Sequence, residues 1–239
     1  MKTKVSGIIV TRGNVDTAPL METWPKKWQR IIWNNGLEEV WLQPEDGAAW
    51  TFFPVSDLGP HGRFAAIEYV AHDLCFCQDD DVIVSDPQAI VDTWRTTREC
   101  PEHGPMEILV TPSGHVVWAC DKHDPNPCVL DEVVCNLPSE FRPHYPDSSL
   151  VGFGACFHRD APERAFQRFF DYHSGMKRND PLFLRESCRV FTVLTPRVLV
   201  DIDKQDLPYA SDGTRLWRQP GHLNFRDRAL RMAREVRDA

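Results

Sequence analysis

Residues Asp73 to Val84 read DLCFCQDDDVIV. An apolar run reaches Cys77, three aspartates follow at positions 79–81, and the apolar run resumes at Val82. Three adjacent carboxylates repel one another and are costly to bury unpaired. Either a cation belongs there or the triplet is a solvated turn, and the flanking sequence separates the two. Leu74–Cys77 and Val82–Val84 read as short strands on either side of the triplet. Upstream, GRFAAIEYVAH (62–72) places Phe64, Ile67 and Ala71 on one helical face. The aspartates therefore sit at the end of a strand that a helix feeds.

Further upstream, Val5–Val10 is a β-rich run that ends in TRGN (11–14). WPKKWQRI (24–31) has helical potential, and Ile31–Trp33 then runs into NNG (34–36), a strand followed by a turn. Glu39–Leu42 reads as a third short strand. Downstream, DPQAIVDTW begins with Asp86 as a cap and Pro87 at the first helical position. Strand and helix thus alternate through the first ninety or so residues, which predicts an α/β fold with a parallel sheet and helices on its faces. Ligands of such sheets bind beyond the C-terminal ends of the strands. TRGN, NNG and QDDD all fall at such ends.

The 239 residues suit one α/β domain, or one domain carrying a small insertion. With 42% apolar and 26% charged residues the chain has an ordinary globular composition. No apolar run approaches the length of a membrane span, and MKTKVSGIIVTRGN lacks a signal-peptide pattern, so a cytoplasmic protein is expected. The net charge of −8 argues against broad binding to nucleic acid. Seven arginines between Arg215 and Arg237 read as the solvated face of an amphipathic helix, or as a patch facing a phosphate-bearing ligand. Eight cysteines in a cytosolic chain imply thiols or metal ligands rather than disulfides. Cys75, Cys77, Cys156 and Cys188 lie among apolar neighbours and read as core.

Beyond Arg95 the character changes. Residues 95–137 are rich in Cys, His and Pro, which divides the chain into 1–94, 95–137 and 138–239. In the last part, Leu150–Phe157 is a Gly-bearing apolar run, and APERAFQRFFDYHS (161–174) is a helix with Pro162 near its start. Arg189–Leu194 and Val198–Ile202 read as two late strands, and Phe225–Val236 as a terminal helix.

A strand that delivers Asp79 and Asp81, one residue apart, suits a hard divalent cation such as Mg²⁺ or Mn²⁺. That cation would cancel the repulsion within the triplet and neutralise charge on a departing diphosphate. At this point the chain resembles a family. VSGIIVTRGN, IIWNNG and GRFAAIEYVAHDLCFCQDDDVIV look like the nucleotide-sugar half of a GT-A-fold glycosyltransferase, with DDD in the place of its DxD motif. SSLVGFGACFHRD resembles the acceptor side, and RLWRQPGHLNFRDRAL the C-terminal segment that returns to the metal. The likeness is greatest to small bacterial and phage glycosyltransferases.

The resemblance implies a nucleotide-sugar donor such as a UDP-sugar, with roles for particular residues. Thr11, Arg12 and Gly13 would border the nucleotide, Asn34 and Asn35 would approach the base or ribose, and Arg63 would contact the diphosphate or ribose. Asp79 and Asp80 would lie on the donor side, Asp81 would be the surer metal ligand, and His222 would complete the metal shell. An inverting transfer also needs a carboxylate base. Asp180 is the candidate, set against a plain role as the cap of a helix starting at Pro181, and Asp147 is a weaker one.

Cys100 and His103 are spaced CxxH, as are Cys120 and His123. Between them MEILV, TPSG and HVVWA read as a β-hairpin, the layout of a zinc ribbon with a closed structural Zn²⁺ site. Cys128 or Cys135 are alternative ligands. A hairpin with so little core of its own would need such a staple. It adjoins the acceptor region, and the hydroxyl acceptor expected is modified DNA, a protein or a glycan. Two other readings compete: a nucleotidyltransferase of related fold, and a zinc-ribbon module that binds nucleic acid. The single Gly and Arg of TRGNVDTAP fit a triphosphate-gripping loop poorly.

Overall fold

A computed structural model describes residues 4–13, 15–36, 49–54, 56–98, 108–112, 151–200, 202–207 and 222–239. The first strand, β1 (Val5–Thr11), is followed by a short helix, α1 (Ala18–Glu22), and then by β2 (Gln29–Asn34) and β3 (Ala49–Phe52). Next come α2 (Gly62–Ala65), flanked by 3₁₀ turns, β4 (Leu74–Asp79), β5 (Val82–Val84), α3 (Pro87–Arg98) and β6 (Leu109–Pro112). The last part contains β7 (Phe153–His158), α4 (Ala161–Tyr172), α5 (Pro181–Leu194), β8 (Arg197–Val200), β9 (Lys204–Asp206) and α6 (His222–Asp238).

Seven strands form one sheet in the order β3-β2-β1-β4-β7-β6-β8. β1 runs parallel to β2 and β4, β2 to β3, and β6 to β8, while β7 is antiparallel to β4 and β6. This mostly parallel sheet, with helices on both faces, is the α/β architecture expected from the alternating strand and helix signals. Each central strand sends neighbouring apolar side chains to opposite faces, so both faces are dry. Ile8, Ile31, Cys75 and Leu109 pack with Phe64, Phe166, Phe183 and Phe191 from α2, α4 and α5. Ile9, Ile32, Phe76 and Val110 face the other way, toward Trp24, Trp28 and the α3 residues Ile90, Val91 and Trp94.

A smaller antiparallel pair, β5 with β9, ties the segment after the triplet to a late part of the chain. Leu207 N–H donates to the Asp81 carbonyl at 2.7 Å, and Ser85 N–H to that of Asp203 at 2.9 Å.

Several sequence expectations are corrected. Arg189–Leu194 is not a strand but the second half of α5; all six residues are buried, so its β-branched and aromatic composition reflects burial on every side. WPKKWQRI is not a helix: Pro25 opens a turn, and Gln29 already belongs to β2. Leu109–Pro112, read as part of a free-standing hairpin, is a strand of the main sheet between β7 and β8. Ile108, Leu109 and Val110 are fully buried, which a two-stranded ribbon would not achieve. The other arm, residues 115–119, lies outside the described residues, as do Cys100, His103, Cys120, His123, Cys128 and Cys135. Glu39–Leu42 and Asp147 also lie outside them. No helix among the described residues is long and apolar enough to cross a membrane.

Candidate functional site

Because β2, β1 and β4 are parallel neighbours, their C-terminal ends coincide. Thr11 is in register with Asn34, and Val10 with Asp79. The three polar loops read from the sequence are therefore adjacent in space.

The first two loops are bonded to each other. Asn35 N–H donates to the Thr11 carbonyl at 2.8 Å, and Asn34 Oδ1 accepts from Gly36 N–H at 2.8 Å. A Cβ on Gly36 would lie 2.0 Å from the Arg12 carbonyl oxygen, so only glycine fits there. Asn35 Oδ1 accepts from Trp33 Nε1 at 3.0 Å and from Leu58 N–H at 3.2 Å, and its Nδ2 donates to Gly59 O at 2.9 Å. That side chain clasps the 58–59 loop, and both Asn34 and Asn35 are buried. Arg12 reaches the same loop through an exposed pair with Asp57 at 3.1 Å. Gly13 has φ of 78° and donates from its N–H to Thr11 Oγ1 at 3.0 Å.

The triplet is held at each end. Before it, buried Gln78 accepts from Trp24 Nε1 at 3.2 Å and donates to the Val82 carbonyl, closing the turn around the aspartates. After it, the Asp81 backbone is tied to Leu207. The three carboxylates have different surroundings. Asp79 accepts from Arg63 Nη2 at 2.6 Å; the guanidinium side chain is 6% exposed and the carboxylate side chain 36%. Arg63 Nε also donates to Pro60 O at 3.0 Å. Burial, the largest single influence, lowers the Arg63 pKa, but the Asp79 carboxylate together with smaller contributions from Cys188 and Cys77 raises it, and the net shift is upward. Asp80 turns toward the first loop: burial raises its carboxyl to about 6 against hydrogen bonds from the Thr11 hydroxyl and the Arg12 backbone. Asp81 lies on the turn that joins β4 to β5.

The remaining candidates lie elsewhere in the chain. Asp180 is the N-cap of α5, accepting from Leu182 N–H at 2.8 Å. His222 opens α6, and its side chain lies outside the described residues. Among the described residues no group of three or more His, Cys, Asp and Glu side chains is arranged to hold a metal ion. The donor set at the strand ends is nevertheless of the chemical kind a hard divalent cation takes, carboxylate oxygens on partly exposed residues.

The resemblance puts Arg63 on the diphosphate or ribose. In the structure it is buried and paired with Asp79. Two contributors went unread in the sequence, Gln78 beneath the triplet and Gly152 beside Asp79. The Asp79 N–H donates to Gly152 O at 2.6 Å. A polar Gln ending an apolar strand is a weak local signal for the first, and nothing near Gly152 in sequence announces the second.

No family model matches the sequence, and no curated protein does. Solved structures do match the fold. The chain aligns with GalNAc-T7 solved with UDP, GalNAc and Mn²⁺ at 11% identity and TM-score 0.54, covering 96% of this chain and 48% of that one. It aligns with the mannosyltransferase PcManGT from Pyrobaculum calidifontis, solved with GDP-Man and Mn²⁺, at 11% identity and TM-score 0.50, covering 99% and 74%. With S. aureus TarS 1-349 in complex with UDP-GlcNAc the identity is 10% and the TM-score 0.49, covering 87% and 60%. The chain thus spans about three-fifths of that TarS fragment. At these identities the likeness speaks to fold alone, and that fold is GT-A, whose neighbours here are nucleotide-sugar glycosyltransferases.

Proposed function

We propose that this chain is a metal-dependent glycosyltransferase that moves a sugar from a nucleoside-diphosphate sugar to a hydroxyl acceptor. The observation that carries the reading is the meeting of Thr11–Gly13, Asn34–Gly36 and Asp79–Asp81 at the C-terminal ends of three adjacent parallel strands, with Asp79 held by a buried arginine.

In this reading the first two loops form the wall against which the nucleotide lies. Their mutual hydrogen bonds make that wall rigid before substrate arrives, so little ordering remains to be done on binding. Asp81, Asp79 and the residue opening α6, His222, would hold Mn²⁺ or Mg²⁺, which supplies charge neutralisation for the leaving diphosphate. Asp80 braces the first loop from below, through Thr11 and the Arg12 backbone. Asp180 is proposed as the base that takes the acceptor proton, a role it would have to combine with capping α5. Holding the acceptor hydroxyl near the anomeric carbon then supplies much of the rate.

Cys100, His103, Cys120 and His123 are proposed to hold a structural Zn²⁺ beside the acceptor region. The acceptor is then a hydroxyl on modified DNA, a protein or a glycan, as such a surface would serve any of them.

The test is a thermal-shift series with UDP-, GDP-, ADP- and dTDP-sugars, each with and without Mn²⁺. One nucleotide class should raise the melting temperature, and more so with Mn²⁺ present. Protein indifferent to all four donors in both conditions would rule the reading out. Metal analysis of protein purified without chelator tests the zinc proposal, which requires about one equivalent.

A further inference from the structure

Gly152 lies beside Asp79 in an unusual way. A Cβ built on it would stand 1.8 Å from Asp79 Oδ2 and 2.1 Å from the carboxyl carbon. The Asp79 carboxylate therefore occupies the space that any other residue at 152 would fill. Gly152 O also accepts from the Asp79 N–H at 2.6 Å, so the backbones are pinned together at the same point.

This approach originates in a bulge. Along the β4–β7 ladder Cys77 pairs with Ala155, but Gln78 pairs with Phe153, so Gly154 is skipped. Gly154 has φ of 95°, a conformation that residues with a side chain rarely adopt, and a Cβ there would lie 2.6 Å from the Val84 side chain. A bulge adds one residue to a strand, bends it and re-aims the neighbouring side chains. Here it brings Gly152 opposite Asp79. The sequence Gly152-Phe153-Gly154 thus has one glycine to make the bend and another to leave the space.

Across the carboxylate from Gly152, Arg63 donates to Oδ1 at 2.6 Å. Its own direction is set by the bond from Nε to Pro60 O at 3.0 Å. Asp79 is therefore placed from both sides: Oδ1 is fixed by a buried guanidinium, and Oδ2 lies over a bare Cα.

We infer that Gly152 and Arg63 are positioning residues that form a two-sided seat for the Asp79 carboxylate and aim it at the metal-bound donor. This rests on the glycosyltransferase reading above, and deepens it by assigning the acceptor-side bulge a task on the donor side. The expected consequence of filling the seat is a displaced carboxylate in a protein that otherwise folds as before. Partners of this kind, one step removed from a metal, typically contribute about 10- to 100-fold to its affinity.

The test is a four-protein cycle of wild type, Gly152→Ala, Asp79→Ala and the double variant. Two quantities are measured: melting temperature, and Mn²⁺ affinity by calorimetry in the presence of UDP or GDP. Gly152→Ala should weaken Mn²⁺ binding by roughly tenfold or more and lower the melting temperature. In the Asp79→Ala background the same change should lower the melting temperature far less, because the clash has gone.

Unchanged Mn²⁺ affinity in Gly152→Ala overturns the inference. So does an equal melting penalty with and without the Asp79 carboxylate, which would mark a general backbone effect. If Gly152→Ala does not fold, Arg63→Lys and Arg63→Met probe the other side of the seat. Lys should retain part of the Mn²⁺ affinity and Met should lose it, and equal affinities in the two would overturn the role. Wild-type protein that binds neither Mn²⁺ nor nucleotide overturns the glycosyltransferase reading, and with it the positioning role. Coupling between positions 152 and 79 in melting temperature would then persist as geometry alone, which keeps the two failures apart.

Discussion

The Arg63 guanidinium meets the Asp79 carboxylate at 2.6 Å, the arginine coming from α2 and the aspartate from the end of β4. The pair joins a buried cation to a partly open anion at the rim where three strands end. It also lets an acidic triplet come directly after a dry strand, because one of the three charges is compensated from inside. Gln78 closes the turn around the triplet, and Asp80 is satisfied by the first loop.

Arg63→Met is expected to destabilise the fold. Breaking a fully buried ion pair costs roughly 3–5 kcal/mol. Asp79 is a third exposed and keeps some hydration, so about 2 kcal/mol is expected here. Urea unfolding measures it, and a midpoint equal to wild type would show the pair to be idle.

Asp180 allows two roles to be separated. Asp180→Asn keeps a side-chain oxygen for the Leu182 N–H, so stability should hold, whereas Asp180→Ala should lose about 1 kcal/mol with the cap. If Asp180 is also the base, Asn should lower kcat by about 10²- to 10⁴-fold while leaving donor affinity intact. Full turnover by the Asn variant would reduce Asp180 to a helix cap.

Asp81→Ala should abolish the Mn²⁺-dependent part of the nucleotide-sugar thermal shift. The contact to Leu207 N–H is made by the Asp81 backbone and is kept in this variant. Persistence of the Mn²⁺ effect in this variant would place the cation elsewhere.

His61 should make the protein sensitive to acid. It sits against Phe64, Phe166 and Phe183, and burial, helped by the Arg178 and Arg63 charges, lowers its pKa from 6.5 to about 4. The unfolded chain then takes up the proton more readily than the folded one. Stability should be greatest above about pH 6.5 and fall as the pH drops toward 4, by about 3 kcal/mol in all from this group. His61→Phe should flatten that slope, because the ring packing is kept and Nδ1 has no hydrogen-bond partner to lose. Melting curves between pH 4 and 7 decide it: parallel profiles for the two proteins would assign the acid sensitivity to other groups.

Much of the site was legible in the chain because its signals are local. Strand runs that end in TRGN, NNG and QDDD mark turns whatever surrounds them. Asp86 with Pro87 marks a helix start, and the structure has α3 begin there, with Asp86 Oδ1 accepting from Ala89 N–H at 3.0 Å. The misreadings have one cause. RVFTVL looks like a strand and WPKKWQRI like a helix by composition and period, yet both are set by what packs on them. The first is enclosed within α5, and the second places Trp24 and Trp28 against Phe76. The apolar Leu109–Val110 reads as part of a hairpin stapled by zinc, but the strand lies in the main sheet with β7 and β8 on its two sides.

By itself, then, the chain determined that Val5–Val10, Ile31–Trp33 and Leu74–Cys77 are dry strands and which polar turns end them, since turn chemistry acts between near neighbours. It could not say which way Arg63 turns, that Asn35 would be occupied by the 58–59 loop, or that Gly152 would come to lie beside Asp79. Those contacts join residues far apart in sequence, and they exist only once β7 has inserted antiparallel beside β4 with its bulge in register. Strand order and register are set by the packing of both sheet faces at once, and no single stretch of residues carries that information.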